Sequence, residues 1–164
     1  MKQILSLAFL VFSFCTAMAQ EQQLSPRTSV KNSDIEVTHG QPSKRGRVIF
    51  GDLVPYGEVW RTGANEATEI TFKKNVNFAG KPVKAGTYSL FTIPKQKEWV
   101  VILNSKTGQW GAYDYESIKS NNVVQVTVPT YSTNNTVEKL TFALKDNSLN
   151  IEWDKTGVSI PISK

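Results

Sequence analysis

Hydrophobic and polar residues alternate with a period of two along most of the chain after residue 34. Ile35, Val37 and His39 fall on one face of the first such run, with polar residues between them. Alternation of this kind is typical of a β-strand with one buried face. Similar alternating or continuously apolar runs follow at residues 68–72, 87–93, 98–103, 124–128, 140–144, 149–153 and 158–162. The pattern therefore predicts about eight strands.

Turn-forming residues separate these runs, and no helical periodicity persists long enough to indicate a helix of ordinary length. The best short helical candidate lies at residues 115–119. Several short strands at roughly regular spacing are typical of an antiparallel β-sandwich or barrel. We therefore expect an all-β fold over residues 30–164, a single-domain antiparallel β-sandwich. A barrel is the alternative, because both architectures share this alternation.

Two segments depart from the strand pattern and concentrate polar and aromatic side chains. Residues 40–66 contain five glycines and two prolines, and residues 109–116 read QWGAYDYE. A long irregular segment inside a compact domain usually carries function or covers a sheet edge. We expect the first segment to fold over one end or edge of the sheets and to form a polar and aromatic cleft with the second.

The N-terminus has the features of a secretory signal peptide spanning residues 1–19. A positive charge precedes an apolar run that is too short to span a bilayer as a helix. Ala-Met-Ala then provides the small-x-small pattern that signal peptidase recognises, so cleavage should fall before Gln20. We therefore expect a periplasmic or secreted protein that begins with a flexible lead-in at residues 20–29.

Composition and charge restrict the classes of function. The net charge is +5, but the basic residues are scattered rather than arranged in a basic and aromatic stripe, so nucleic-acid binding is not expected. A single Cys and a single His exclude a disulfide framework and a metal centre built from several of these residues. No cofactor is predicted, and no second apolar run predicts a transmembrane segment in the mature chain. We interpret His39 as a half-buried residue with one hydrogen bond at a strand end, rather than as a general base or metal ligand.

Four stretches of the chain resemble a family of exported bacterial domains that is catalogued only as a domain of unknown function. They are SPRTSV at residues 25–30, GRVIFGDLVPYGEVWRTGANEATEITF at 46–72, AGTYSLFTIP at 85–94 and WGAYDY at 110–115. With the spacing between them, they cover nearly all of the mature chain. The usual opening of the family resembles a strand ending in Tyr-Ser-Arg-Pro, whereas this chain has His-Gly-Gln-Pro at residues 39–42. The resemblance implies export and a single β-rich domain, and it brings no activity with it.

Arg61, Asn65 and Glu66 form the best candidate for a ligand site. An arginine guanidinium offers a planar set of donors to a carboxylate, a phosphate or sugar hydroxyls. An asparagine amide both donates and accepts, and a glutamate can accept hydrogen bonds or transfer a proton. The alternative is an internal network in which Arg61 pairs with Glu66 or Asp114 and ties the irregular segment to the sandwich.

Aromatic residues in the same two segments are candidates for stacking against sugar rings. They are Tyr56, Trp60, Trp110, Tyr113 and Tyr115. The flat apolar face of a sugar can stack on an aromatic ring while neighbouring polar groups bind its hydroxyls. The alternative, which we prefer for the two tryptophans, places Trp60 and Trp110 in the core at one end of the sandwich.

These residues support three functional hypotheses. The first, which we favour, is an exported non-catalytic binding module for a small ligand or glycan. Its predicted ligand contacts are Arg61, Asn65, Glu66, Tyr113, Asp114 and Tyr115. The second is an envelope hydrolase that uses Glu66 or Asp114 as acid or base, although no familiar catalytic motif is present. The third is a structural or partner-binding domain of the cell envelope.

Overall fold

The computed structural model describes residues 24–163, which form one all-β domain. Its nine strands are β1 (Arg27–Lys31), β2 (Ile35–Gly40), β3 (Thr68–Phe72), β4 (Val76–Phe78), β5 (Lys81–Val83), β6 (Gly86–Pro94), β7 (Glu98–Asn104), β8 (Asn122–Lys145) and β9 (Ser148–Ser163). A short helix, α1 (Tyr115–Ile118), and a 3-10 turn (Lys119–Asn121) precede β8. No helix of the described residues is long and apolar enough to cross a membrane. The predicted signal peptide and its cleavage before Gln20 lie outside the described residues.

The strands form one antiparallel sheet in the order β1-β2-β3-β6-β7-β8-β9-β4-β5. The sheet begins at β1 and ends at β5, so it is open. The predicted all-β antiparallel fold is therefore confirmed, and the chain does not adopt the closed barrel considered as its alternative. Residues 27–29, which we expected in a flexible lead-in, belong to β1 and pair with residues 38–40 of β2.

β8 and β9 bend so that their hairpin arm, residues 137–154, folds back over the rest of the sheet. The register between the two strands shifts twice within residues 132–141, and Asp154 has a φ of 55°. The tip of the arm returns to the far end of β9, where the Ile162 N–H donates to the Asn147 carbonyl at 2.7 Å. The bend turns a single sheet into two packed layers, which gives the sandwich-like arrangement.

The main core lies between these layers. It combines residues of β2, β3, β6 and β7 with residues of the hairpin arm, among them Val37, Ile70, Leu90, Val101, Leu140, Phe142, Leu149, Ile151 and Trp153. Trp60 and Trp153 stack with ring centroids 6.0 Å apart, and Trp99 meets Trp60 edge-on at the same distance. The preferred placement of Trp60 in the core is therefore confirmed.

A second, smaller core lies on the opposite face of β6 and β7. Phe91 and its cross-strand partner Ile102 belong to it, whereas the adjacent Leu90 belongs to the main core. This division follows from the alternation of side chains along a strand. Residues 105–121 cover the second core, and the Tyr115 ring packs against Phe91 at 5.2 Å. The covering segment places residues 109–114 beside the start of β3.

The irregular segment, residues 40–66, runs from the hairpin arm to β6. At its start, the Lys44 N–H donates to the Glu138 carbonyl at 2.7 Å, and the Leu140 N–H donates to the Pro42 carbonyl at 3.0 Å. Near its end, Trp60 exchanges two backbone hydrogen bonds with Thr92 of β6, 2.7 and 2.9 Å long. The segment thus covers an edge of the arm, which is one of the two roles expected for it.

Candidate functional site

Residues 61–66 form a tight turn at the entrance to β3. Thr68 closes the turn, because its N–H donates to the Arg61 carbonyl at 3.1 Å and its hydroxyl donates to the Thr62 carbonyl at 2.9 Å. The turn lies against the end of β2, where a Cβ on Gly40 would overlap the carbonyl oxygen of Ala64. Glycine at position 40 is therefore a steric requirement of this packing.

Two non-glycine residues of this turn have left-handed backbone conformations. Thr62 has a φ of 54° and Asn65 a φ of 63°. Asparagine tolerates this region, but a β-branched threonine there is strained by about 1–3 kcal/mol. The buried Thr62 hydroxyl lies 3.0 Å from the Thr92 hydroxyl and 3.3 Å from the Trp60 carbonyl. The surroundings thus hold a strained turn in place, a feature that clusters at functional sites.

The turn pairs with residues 109–111 of the second dense segment. The Ala67 N–H donates to the Gln109 carbonyl at 2.8 Å, and the Gly111 N–H donates to the Asn65 carbonyl at 2.9 Å. Between these bonds Glu66 and Trp110 form an isolated antiparallel bridge. The two segments that the sequence singled out are therefore joined by backbone hydrogen bonds.

Arg61 lies between the turn and the aromatic segment. Its Nη1 donates to the Asn65 carbonyl at 3.1 Å, and its guanidinium carbon lies 5.6 Å from the centroid of the Tyr113 ring. A Cβ on Gly111 would be 2.6 Å from the Tyr113 ring and 3.2 Å from Nη1 of Arg61, so glycine permits this approach. Within residues 24–163 no carboxylate forms an ion pair with Arg61. The internal pairing of Arg61 with Glu66 or Asp114 that we considered is therefore not found.

The aromatic candidates divide into exposed and buried rings. Trp110 is 55% exposed and Tyr113 is 74% exposed. The preferred placement of Trp110 in the core is therefore wrong, because its loop turns the side chain outward. Tyr115 is only 7% exposed, and its hydroxyl accepts a hydrogen bond from the Asn122 amide at 2.7 Å. Its ring belongs to the second core and offers no stacking surface. We refer to Arg61, Trp110 and Tyr113 as the Arg–aromatic surface.

The remaining polar candidates have structural contacts of their own. Glu66 forms an ion pair with Arg27 of β1 at 3.4 Å, and Arg27 also lies 3.9 Å from Glu69. The Asn65 side chain donates to the Ser25 carbonyl at 3.0 Å. Asp114 is exposed at the start of α1, and its side chain makes no capping hydrogen bond. Asn65 and Glu66 therefore position the turn, while Arg61 and Asp114 keep polar atoms available to solvent.

His39 lies near this site but points into the core. Its side chain is 2% exposed, and its ring packs against Phe142 of the hairpin arm with centroids 4.3 Å apart. Neither ring nitrogen has a hydrogen-bond partner of good geometry among the described residues. Burial lowers the pKa of His39 from 6.5 to about 4, because it disfavours the charged form of the ring. The nearby polar backbone of Leu140 acts to raise the pKa, and the positive charge of Arg27 lowers it further. His39 is thus more buried than the half-buried, hydrogen-bonded residue that we expected.

Sequence reasoning missed two residues that shape the site. Arg27 holds Glu66 from β1, and Gly111 allows Arg61 and Tyr113 to meet. Arg27 lies inside the SPRTSV stretch that carries the family resemblance, which was the available signal. Gly111 has a φ of 74° and lies between Trp110 and the tyrosines, a position whose importance only the fold reveals.

Comparison with known proteins identifies the family of the chain. Residues 20–162 match the model of DUF2911, described as a protein of unknown function, and the chain belongs to this family. No curated protein and no solved structure shows a significant match. The family resemblance expected from the sequence is therefore confirmed, and it assigns no activity.

Proposed function

We propose that this DUF2911 protein is an exported, non-catalytic module that binds a glycan through the Arg–aromatic surface. One observation carries the proposal. The Arg61 guanidinium has no carboxylate partner among residues 24–163 and lies over the Tyr113 ring, which is 74% exposed. An arginine whose charge is balanced by an ion pair would contribute much less to recognition of a ligand.

The chemistry of this surface suits a sugar ring. Exposed Trp110 and Tyr113 offer flat apolar faces for the C–H face of a pyranose, in the way aromatic rings serve other apolar partners. Arg61 has five N–H donors and uses one of them within residues 24–163, so it has donors for hydroxyl or carboxylate oxygens. The exposed carboxylate of Asp114 can accept hydrogen bonds from hydroxyls. These groups are of the types that glycan recognition uses for stacking and for polar contacts.

The backbone around the surface reduces the entropic cost of binding. The Asn65 carbonyl accepts hydrogen bonds from both Gly111 and Arg61, so one atom links the turn, the aromatic segment and the guanidinium. A site that is already ordered loses less freedom when a ligand binds. The strained Thr62 backbone also supports a binding role for this turn, since strain of this kind is often maintained where a local geometry serves a function.

Export is part of the proposal and rests on the N-terminal sequence. The positively charged start, the short apolar run and the Ala-Met-Ala pattern before Gln20 are typical of a cleaved signal peptide. A periplasmic or secreted location would give the surface access to cell-envelope and extracellular glycans. Mass determination of the N-terminus of protein isolated from its native cells tests the expected cleavage before Gln20.

The binding proposal is tested by probing a glycan array with residues 20–164 and three single variants. Trp110→Ala and Tyr113→Ala each remove one ring, and Arg61→Lys keeps the charge but loses the planar fork. Tyr56→Ala is the matched control, because Tyr56 is an exposed aromatic residue whose ring packs on Gly51 in another part of the irregular segment. Loss of one stacking ring should weaken binding about fivefold or more, while the control binds as the parent does.

The same array separates the other hypotheses. Retention of a glycan by the parent and by all three variants would place binding elsewhere and reject the Arg–aromatic surface. Cleavage of an arrayed glycan that stops in Glu66→Gln would instead favour the hydrolase. If no glycan is retained and a partner protein is captured from envelope extract, the partner-binding hypothesis replaces the proposal.

A further inference from the structure

A cavity of about 370 Å³ lies at the tip of the hairpin arm, apart from the Arg–aromatic surface. It is bounded by the turn between β1 and β2, the turn between β3 and β4, the tip of the arm and the end of β9. The hydrogen bond from the Ile162 N–H to the Asn147 carbonyl joins two of these walls. Its volume lies at the lower end of the range that small-molecule pockets occupy, about 300–1,000 Å³.

The floor of the cavity is apolar. Ile35, Val76 and Ile162 line it and are otherwise buried in the main core, and Leu144 packs against the same core from the arm. The cavity is therefore an opening into the hydrophobic core rather than a polar groove on the surface. An apolar group placed there would remove these side chains from water, which favours binding.

The rim of the cavity is polar, and the described residues that line it carry no net formal charge. Lys74 and Asp34 form an ion pair at 3.0 Å, and Lys145 and Asp146 add one charge of each sign at the tip of the arm. A rim of this kind gives no electrostatic preference for an anion or a cation. A charged ligand head would lose hydration there without a net attraction to offset that cost, so the rim favours a ligand whose polar part is uncharged.

Two rim amides provide directed donors. The Asn32 side-chain oxygen accepts hydrogen bonds from the Asp34 and Ile35 N–H groups at 2.9 and 2.8 Å, and the Asn75 oxygen accepts one from Ala85 at 2.9 Å. These bonds fix both side chains. Within the described part of the chain neither NH₂ group has an acceptor, so both are available to hydroxyl, ether or carbonyl oxygens.

We infer that this cavity binds a small uncharged amphipathic molecule, with its apolar body on the floor and its oxygen-bearing head at the rim amides. The site is separate from the Arg–aromatic surface, so either proposal can fail while the other stands. An alkyl chain joined to a sugar or another hydroxyl-bearing head has the required chemistry.

The inference is tested by NMR titration of ¹⁵N-labelled residues 20–164 with n-octyl β-D-glucoside below its micelle concentration. Octanoate and octylammonium carry the same chain with opposite charges and serve as comparison probes. Leu144→Trp fills the cavity from its floor. Ser163→Trp, at an exposed strand end, obstructs it with little risk to folding. Val123→Trp adds an indole on an exposed strand position outside the cavity.

The inference predicts saturable shifts confined to residues 32–35, 74–76, 144–148 and 162–163. Affinity should fall at least tenfold in both blocking variants and stay unchanged in Val123→Trp. The glucoside should bind at least fivefold more tightly than either charged probe. Shifts centred elsewhere, or equal affinity in the blocking variants, would overturn the site, and tighter binding of a charged probe would overturn the assignment of an uncharged ligand.

Discussion

His39 should make the stability of this protein depend on pH in a range where few other groups titrate. Its ring is buried against Phe142, and neither nitrogen has a hydrogen-bond partner of good geometry among residues 24–163, although the nearby backbone of Leu140 acts to raise the pKa. Protonation would place a charge in this apolar site, next to the positive charge of Arg27. For this reason burial, first of all, lowers the pKa of His39 from 6.5 to about 4.

The sign and size of the effect follow from this shift. Between pH 6.5 and 4 the unfolded chain protonates its histidine while the folded protein keeps it neutral. The unfolded state then binds one more proton, so the free energy of unfolding falls as the pH falls, by about 1.4 kcal/mol per pH unit. Stability from this source is complete above pH 6.5, and about 2 kcal/mol of it is lost between pH 7 and pH 5.

Urea unfolding of the parent and of His39→Phe at pH 7, 6 and 5 measures the effect. Phenylalanine preserves the ring contact and leaves no unpaired nitrogen, so this variant should be at least as stable as the parent at pH 7. The difference between the two proteins should change by about 2 kcal/mol from pH 7 to pH 5, in favour of the variant. His39→Leu provides a second comparison if the larger ring does not fit. Parallel pH profiles in parent and variants would refute the reasoning, since the carboxylates titrate in all of them.

Three further predictions test the site and its supports by urea unfolding at pH 7. Gly40→Ala should lower the free energy of unfolding by about 3 kcal/mol, because the new methyl group overlaps the backbone of the turn. Gly46→Ala should lower it by only about 1 kcal/mol, because no atom lies within 4 Å of the new Cβ and only left-handed backbone strain remains. Equal losses in the two variants would contradict the close packing of Gly40 against the turn. Tyr115→Ala should lower the free energy of unfolding by about 3–5 kcal/mol, because it removes a buried core ring. Tyr113→Ala should lower it by less than about 0.5 kcal/mol, because the Tyr113 ring is exposed. The reverse order would show that the burial of the two rings is wrongly assigned. Arg61→Ala should lower the free energy of unfolding by no more than about 1 kcal/mol, because among residues 24–163 its guanidinium donates to one neutral backbone carbonyl and packs only on the exposed Tyr113 ring. A loss above about 3 kcal/mol would assign Arg61 to the scaffold instead.

The hydrophobic pattern predicted the central strands well. β2 and β3 alternate because one face of each lies in the main core, whereas β6 and β7 have apolar runs because both of their faces are buried. β3 coincides with its predicted run, β2 and β7 each extend one residue further at their C-terminal end, and β6 extends one residue further at both ends. The short strands β1, β4 and β5 were missed. β1 has no buried residue, and β4 and β5 have three residues each, so their hydrogen bonds leave almost no periodic signal.

The two longest strands were each predicted as two. β8 joins the runs at 124–128 and 140–144, and β9 joins those at 149–153 and 158–162. The residues between the runs are mostly polar and lie where the arm bends, so they break the alternation without ending the strand. A pattern of burial cannot distinguish a bend within a strand from a turn between two strands.

The structure brings together the two segments that the sequence singled out, but the contacts of the individual residues in them depend on the fold. Tyr113 and Tyr115 are two residues apart, yet Tyr113 is exposed and Tyr115 lies in the second core. A helix begins at Tyr115, so the rule that residues two apart share a face, which holds in a strand, does not apply to this pair. Glu66 is held by Arg27, which is distant in sequence. Local composition can indicate that a segment is rich in polar and aromatic side chains, whereas the ion pairs of its charged residues depend on contacts with residues that are distant in sequence.

Quenching of tryptophan fluorescence by acrylamide, with and without a glycan retained on the array, tests the central claim most directly. Of the four tryptophans only Trp110 is exposed, since Trp60, Trp99 and Trp153 are buried in the main core. The account predicts one readily quenched component that is absent in Trp110→Phe and becomes protected when the glycan binds. Unchanged quenching at saturating glycan would show that the ligand leaves Trp110 uncovered, which would contradict binding at the Arg–aromatic surface.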